Sequence, residues 1–484
     1  MKMTMSIKVL IGGMFFVVAL FSKSALAIAY DWVRMGKEDI RVITNLRVEA
    51  EVRLNLINHA NSKIDFVTFD QRSDQEVGIP ILMALEKAAQ RGVRIRFCAS
   101  WLFASLNDRS WFSKSFLDNL QTKYPNLVSI YVGGPVMWEQ GWGVADGIHE
   151  KLLLVDNQLA MVTGRGNGNQ YFQWLDTAFV YKGPLIDQSR KAFSRLWSSI
   201  RKETDPTRGF VSSLMPSRET DVRTLPVVEN DDPIIQSLDA EELTEIASHF
   251  EWLDRPVSTG TEYKVRALHH DFLHQMASIG PKTGYSRRED LLTDPIVEET
   301  IHLLDSSSEV KINILSPILV SKVKRAFTSA LDNGVKLTLF TNGLAAQTGI
   351  CPIWNGAGWY AGLESLDTLL GYPGSAAYSF VPDKNNGLLY NHRKLMLFER
   401  GSAMKELGEN TVIFGSHNLT MASTVVQDEL SFEFESDEFY AKMNRIFEDS
   451  LEKYGEILNP MEIHQQRKTS VFYQWIYSGL KILF

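Results

Sequence analysis

The stretch His149-Glu150-Lys151-Leu152-Leu153-Leu154-Val155-Asp156, followed by Gly164-Arg165-Gly166-Asn167, decides how the rest of the chain is read. As a strand it alternates between two faces, so His149 and Lys151 project together while Leu152 and Leu154 fill the other side. An imidazole can serve as base or nucleophile, and an ammonium beside it can neutralise phosphate oxygens. Alone, an H-x-K strand is more often an exposed strand end than a site.

The pattern recurs. His392-Arg393-Lys394-Leu395-Met396-Leu397-Phe398-Glu399 lies 243 positions later, with Gly415-Ser416-His417-Asn418 beyond it. Upstream of the first copy, Lys63–Asp70 reads as a strand, Ile79–Ala89 as a helix and Val93–Cys98 as a strand, a β-α-β unit. Glu309–Leu315, Val320–Asn333 and Val335–Phe340 repeat it. Gly92-Val93-Arg94-Ile95 and Gly334-Val335-Lys336-Leu337 are 242 positions apart. The same elements in the same order at nearly the same spacing indicate an internal duplication.

Between and around these units, Asp39–Ala60 reads as one amphipathic helix, Val128–Val132 and Asp176–Val180 as strands, and Ile186–Ile200 as a helix. Residues 205–233 are turn-rich and charged, and lead into a helical stretch near Asp239–Trp252. The expected organisation is a first α/β domain at 28–204, a linker with an inserted helical segment at 205–290, a second α/β domain at 291–460, and a tail at 461–484. That tail is aromatic-rich, and only Arg467, Lys468 and Lys481 in it are basic. It is expected to dock on the core rather than lie on a membrane.

The chain has 484 residues, 44% hydrophobic and 22% charged, enough for two or three domains. Lys2 and Lys8, the apolar run Val9–Phe21 and Ala25-Leu26-Ala27 read as a secretory signal, too short for a membrane span. The alternative is an uncleaved anchor. The expected location is therefore periplasmic or secreted. Removing residues 1–27 takes away Lys2, Lys8 and Lys23 and no acid, so the net charge moves from -8 to -11. Such acidity argues against a bulk nucleic-acid binder. Cys98 and Cys351 are read as free buried thiols; in an exported protein the alternative is a disulfide.

The paired H-x-K…G-x-x-N motifs resemble those of the phospholipase D superfamily, in its cardiolipin synthase and phospholipase D-like branch, over most of residues 40–450. His149, Lys151, Asp156, Gly164 and Asn167 match the first signature; His392, Lys394, Gly415, Ser416 and Asn418 match the second. The departures are Arg165 in the usual serine position, one extra residue between Asp156 and Gly164, and Glu399 for aspartate.

The resemblance implies an α/β fold of two similar domains, each a mixed sheet flanked by helices. They are related by a pseudo-twofold axis, with the active site at their interface. It implies a phosphohistidine route with His149 as nucleophile and His392 as general acid/base. Lys151, Asn167, Lys394 and Asn418 would hold phosphate oxygens, and Gly164, Gly415 and Ser416 would support the site. Asp176 and Glu429, on the strands after the asparagine turns, would orient the histidines. Asp156 and Glu399 lie five residues beyond their lysines, so strand parity turns them to the opposite face.

No cofactor or metal is expected. His270 and His274 are i,i+4 on a candidate helix beside His269, but the cluster lacks the glutamate of H-E-x-x-H. The expected partner is a phospholipid at a membrane surface, with water or an alcohol (glycerol, phosphatidylglycerol) as acceptor and no nucleic acid. Two competing readings are an endonuclease of the same superfamily, disfavoured by the acidic chain, and a non-catalytic lipid-surface protein, disfavoured by the complete motif set.

Overall fold

The computed structural model describes residues 28–478, except 103–106, 134–136, 138–140, 143–145, 204–237, 281, 347–351 and four positions between 402 and 407. The signal sequence expected at 1–27, much of the expected linker, and Cys351 lie outside the described residues.

The duplication is visible strand by strand. In the first sheet the spatial order is Ile40–Ile43, Ala178–Lys182, Leu159–Thr163, Leu152–Val155, Lys63–Thr68, Arg94–Ser100 and Leu127–Val132. In the second sheet Tyr263–His270, Gln427–Glu435, Thr411–Gly415, Leu395–Arg400, Ser307–Asn313, Lys336–Asn342 and Ser375–Phe380 take the same places. Both sheets are mixed. Lys63–Thr68 is parallel to Arg94–Ser100 and antiparallel to Leu152–Val155. Ser307–Asn313 stands in the same relation to Lys336–Asn342 and Leu395–Arg400. The second sheet alone is extended at its edges, by Ile28–Ala29, Val33–Met35 and Gly455–Ile457.

The repeated β-α-β units close in the same way. Gly92 and Gly334 end their helices at φ +87° and +85°, the left-handed conformation that glycine adopts without steric cost. The two sheets pack face to face through aromatic rings. Phe179 of the first sheet meets Phe414 at 4.0 Å and Phe434 at 6.0 Å, and Tyr181 meets Phe432 at 5.5 Å between centroids. One buried apolar cluster therefore runs through both halves, and burying rings of this size is a large share of the packing free energy.

Two expectations are corrected. The helix expected from Asp39 begins only at Leu46, where the Asn45 side chain accepts the Arg47 and Val48 amides at 2.9 and 3.4 Å. Ile40–Ile43 is instead a strand, antiparallel to Ala178–Tyr181. Its β-branched residues favour a pleated surface, and the neighbouring strand supplies one. Second, residues 205–290 are not only linker and helix. Ala240–Asp254 is a helix with an Asp239–Glu242 capping box, but Tyr263–His270 is an interior strand between Ile28–Ala29 and Gln427–Glu435.

The described part of the tail, to Ser478, docks on protein. Its helices, Pro460–Thr469 and Val471–Ser478, lie against Pro352–Leu370. Arg467 pairs with Asp367 at 2.7 Å, and Tyr473 stacks on Tyr360 at 5.2 Å. Among the described residues no helix is long and apolar enough to cross a membrane. Cys98 is a free, buried thiol.

Candidate active site

Each H-x-K segment enters the site by pairing with the opposite half. Gly147–Ile148 runs parallel to Gln427–Asp428, and the His149 amide donates to the Asp428 carbonyl at 3.0 Å. Likewise Trp174–Leu175 runs parallel to Tyr390–Asn391, and the His392 amide donates to the Leu175 carbonyl at 2.9 Å. These two short exchanges, one on each side of the pseudo-twofold, bring the motifs together. The imidazole centroids of His149 and His392 lie 6.4 Å apart.

The same exchange crosses the carboxylates. His149 Nδ1 contacts Glu429 Oε1 and Oε2 at 3.1 and 3.2 Å, and His392 Nδ1 contacts Asp176 Oδ2 at 2.9 Å. Each histidine is thus backed at Nδ1 by the acid of the other half. Rings hold the imidazoles in place. Phe69 meets His149 edge-on at 4.8 Å, and Trp174 lies over His392 at 4.5 Å. Neither aromatic carries a sequence signal, because each reaches the site from a different segment.

Lys151 Nζ donates to the His149 carbonyl, and Lys394 Nζ donates to the His392 carbonyl at 2.7 Å and sits 2.8 Å from the ring nitrogens. Two lysines and two histidines therefore share a small buried space. Burial, with Lys151 adding to it, pushes His149 down to about 4 against the pull of Glu429. Burial and Lys394 push His392 well below the usual histidine range. Burial lowers Lys394 to about 8, and burial with Lys394 nearby lowers Lys151 strongly. Glu429 goes the other way: burial opposes its charge, but His149, His417 and Lys151 outweigh it and hold the carboxylate at about 2. Lys151 and Lys394, beside the two imidazoles, are the groups of this space suited to hold an anion.

The two asparagines differ. Asn418 keeps a buried Oδ1 without a hydrogen-bond partner. Asn167 is fully engaged: its amide nitrogen donates to Gln71 Oε1 at 2.9 Å, and its oxygen accepts from Arg53. Arg165, at the family's serine position, makes its contacts with Glu49 and with backbone. It is wholly buried, pairs with Glu49 and donates to the Trp174 carbonyl at 3.0 Å. Arg53 also pairs with Glu49. Ser416 exchanges bonds with Leu430 backbone, accepting its amide at 3.1 Å, so its hydroxyl pins two strands together.

The glycines make room. A Cβ on Gly164 would lie 2.6 Å from Asp176 Cγ, and one on Gly415 would overlap Ser431 and the Leu430 carbonyl. Asp156 and Glu399 lie away from the histidines. Asp156, at φ +53°, accepts the amides of Asn61, Ser62 and Lys63 at 2.7 to 2.8 Å and so ties a hairpin turn to the first strand of its unit. The histidine cluster divides. His270 faces the Thr424 and Thr293 carbonyls at 2.9 and 3.2 Å, His274 is on the helix Phe272–Ile279, and His269 turns into an acidic cluster.

Residues 54–197 and 300–451 match the family described as cardiolipin synthase, PLD-like domain. With the duplicated fold and the paired motifs, the chain belongs to the phospholipase D superfamily. Over 96% of its length it superposes on 99% of the phosphatidylserine synthase of Haemophilus influenzae Rd KW20, with a TM-score of 0.59 at 12% identity. It is 19% identical over 445 residues to an uncharacterized protein of Helicobacter pylori (strain ATCC 700392 / 26695), covering 82% of this chain and 76% of that one.

Proposed function

We propose that the chain is a phosphatidyltransferase or phosphodiesterase acting on phospholipid head groups through a phosphohistidine. One observation carries the reading: two imidazoles with centroids 6.4 Å apart, each bound at Nδ1 by a carboxylate of the other half, share one buried space with Lys151 and Lys394. His149 Nε2 attacks phosphorus as the bond from phosphorus to the leaving oxygen breaks. His392 gives its Nε2 proton to that oxygen, then takes a proton from the incoming water or alcohol, whose oxygen displaces His149. Lys151, Lys394 and Asn418 hold the non-bridging oxygens, while Asn167 acts from behind, through Arg53 and Gln71. No metal takes part in this scheme.

The depressed histidines fit an anionic substrate. Burial, with the neighbouring lysines adding to it, favours the neutral form of both imidazoles. A bound phosphodiester adds the missing negative charge and raises His392 toward the protonated state an acid needs. The lipid class is supported by the matched family and by the name of the superposed synthase. Export and action at a membrane surface belong to the same reading, on the strength of the N-terminal signal pattern.

The test is product mass spectrometry with phosphatidylglycerol and phosphatidylcholine vesicles, with and without glycerol. Head-group release or exchange is expected from the wild type, and a covalent phosphatidyl adduct from His392→Ala but not His149→Ala. Full activity in His149→Ala overturns the nucleophile assignment. Plasmid cleavage without lipid turnover overturns the substrate class.

A further inference from the structure

The residues between the site side chains face the other way. Glu150 separates His149 from Lys151, and Asp428 precedes Glu429. Both are wholly buried, and both meet His269 of strand Tyr263–His270, itself wholly buried. His269 Nε2 lies 2.9 Å from Glu150 Oε1 and 3.6 Å from Asp428 Oδ1. All three donor atoms fall within 4.8 Å of one another.

Proximity here does not become hydrogen bonding. Both oxygens of Glu150, both ring nitrogens of His269 and Oδ1 of Asp428 are buried without a hydrogen-bond partner. The ring nitrogen is not directed at the oxygen it approaches. Asp428 is held by its other oxygen, which accepts the Leu273 amide at 2.8 Å, leaving Oδ1 turned into the cluster. A buried carboxylate with no donor at either oxygen is costly unless a cation or proton compensates it.

The charge is also unbalanced. Asp271, buried beside His269, is paired with Arg195 at 2.7 Å. Glu150, Asp428 and Asp271 against that one guanidinium leave two negative charges when the imidazole is neutral. An imidazolium cancels one of them; a divalent ion cancels both.

We propose that Glu150 Oε1, His269 Nε2 and Asp428 Oδ1 bind one divalent ion of the zinc or manganese class. One imidazole nitrogen and two carboxylate oxygens form a borderline donor set that suits these ions. Tetrahedral bonds of about 2.0 to 2.1 Å place ligands roughly 3.3 Å apart, and the observed 2.9 and 3.6 Å bracket that spacing. The ion sits behind the active site, closed to substrate. It ties strand Tyr263–His270 to the two segments that deliver His149 and Glu429, and its role is positional. This departs from the expectation of a metal-free chain and is independent of the lipid reading.

The experiment is elemental analysis of the full chain purified without chelator, then stripped and reloaded with Zn²⁺ or Mn²⁺ before dialysis. About one equivalent per chain is expected, with a Tm that falls by several degrees on stripping and recovers on reloading. Glu150→Gln and His269→Ala are expected to hold less than a tenth of an equivalent, whereas His464→Ala, an exposed histidine, retains the full amount. A reloaded wild type with less than a tenth of an equivalent and a Tm indifferent to chelation overturns the proposal, as does full metal content in both cluster variants. The wild-type arm decides the matter even where a variant fails to fold.

Discussion

His149 Nδ1 lies 3.1 Å from Oε1 of Glu429, a carboxylate 280 positions further on and in the opposite half of the chain. The reciprocal contact, His392 to Asp176, spans 216 positions. Neither half holds a complete histidine–carboxylate pair, so the candidate site is complete only in the duplicated whole. Glu429→Gln and Asp176→Asn remove the charge and keep the shape. Each is expected to lower kcat roughly 10² to 10⁴-fold with little change in KM, read from head-group release kinetics. A kcat within threefold of wild type would sink the orienting role.

Gly164 is needed by the site rather than by its own backbone. The Cβ in Gly164→Ala would lie 2.6 Å from Asp176 Cγ, so the carboxylate must move off His392. Overpacking of this kind costs about 1 to 3 kcal/mol. A measurable drop in Tm with at least a tenfold loss of kcat is expected. Unchanged kinetics would show that Asp176 can shift without consequence.

Glu49 is the counter-ion of a buried pair of arginines. It accepts from Arg53, Arg165 and the Thr163 hydroxyl, the last at 2.7 Å. Glu49→Gln leaves two guanidinium groups uncompensated and is expected to cost about 3 to 5 kcal/mol in chemical denaturation. Arg165→Ser, which leaves the Glu49–Arg53 pair intact, is expected to cost less. The reverse order would refute this account of Arg165.

Stability should depend on pH through His149. Its folded pKa of about 4 lies below the ordinary 6.5, so the unfolded chain binds more protons between those values. The contribution is fully present above pH 6.5 and is lost as pH falls through about 4. The full linkage is on the order of 3 kcal/mol. Urea denaturation from pH 7 to 4 should show a steeper loss for wild type than for His149→Gln. Parallel curves would contradict the depressed pKa.

The H-x-K spacing, the glycine-asparagine turns and the 242- to 243-residue offset are local or periodic features, and they were legible because strand parity and turn chemistry act between near neighbours. Parity also turned Asp156 and Glu399 away from the histidines. The strand Ile40–Ile43 was not legible, since its apolar positions suit a helix as well until a pairing strand is present. The strand Tyr263–His270 was hidden in a segment that reads as linker.

By itself, the sequence determined the duplicated α/β plan and the two sets of histidine, lysine and asparagine, because repetition and short-range alternation survive in one dimension. Tertiary structure alone decided that each histidine takes its carboxylate from the other half, that Asn167 is engaged by Arg53 and Gln71 while Asn418 keeps an unpaired oxygen, and that Glu150, His269 and Asp428 meet behind the site. Those relationships depend on how the two sheets exchange short segments across their interface, and no spacing along the chain encodes that exchange.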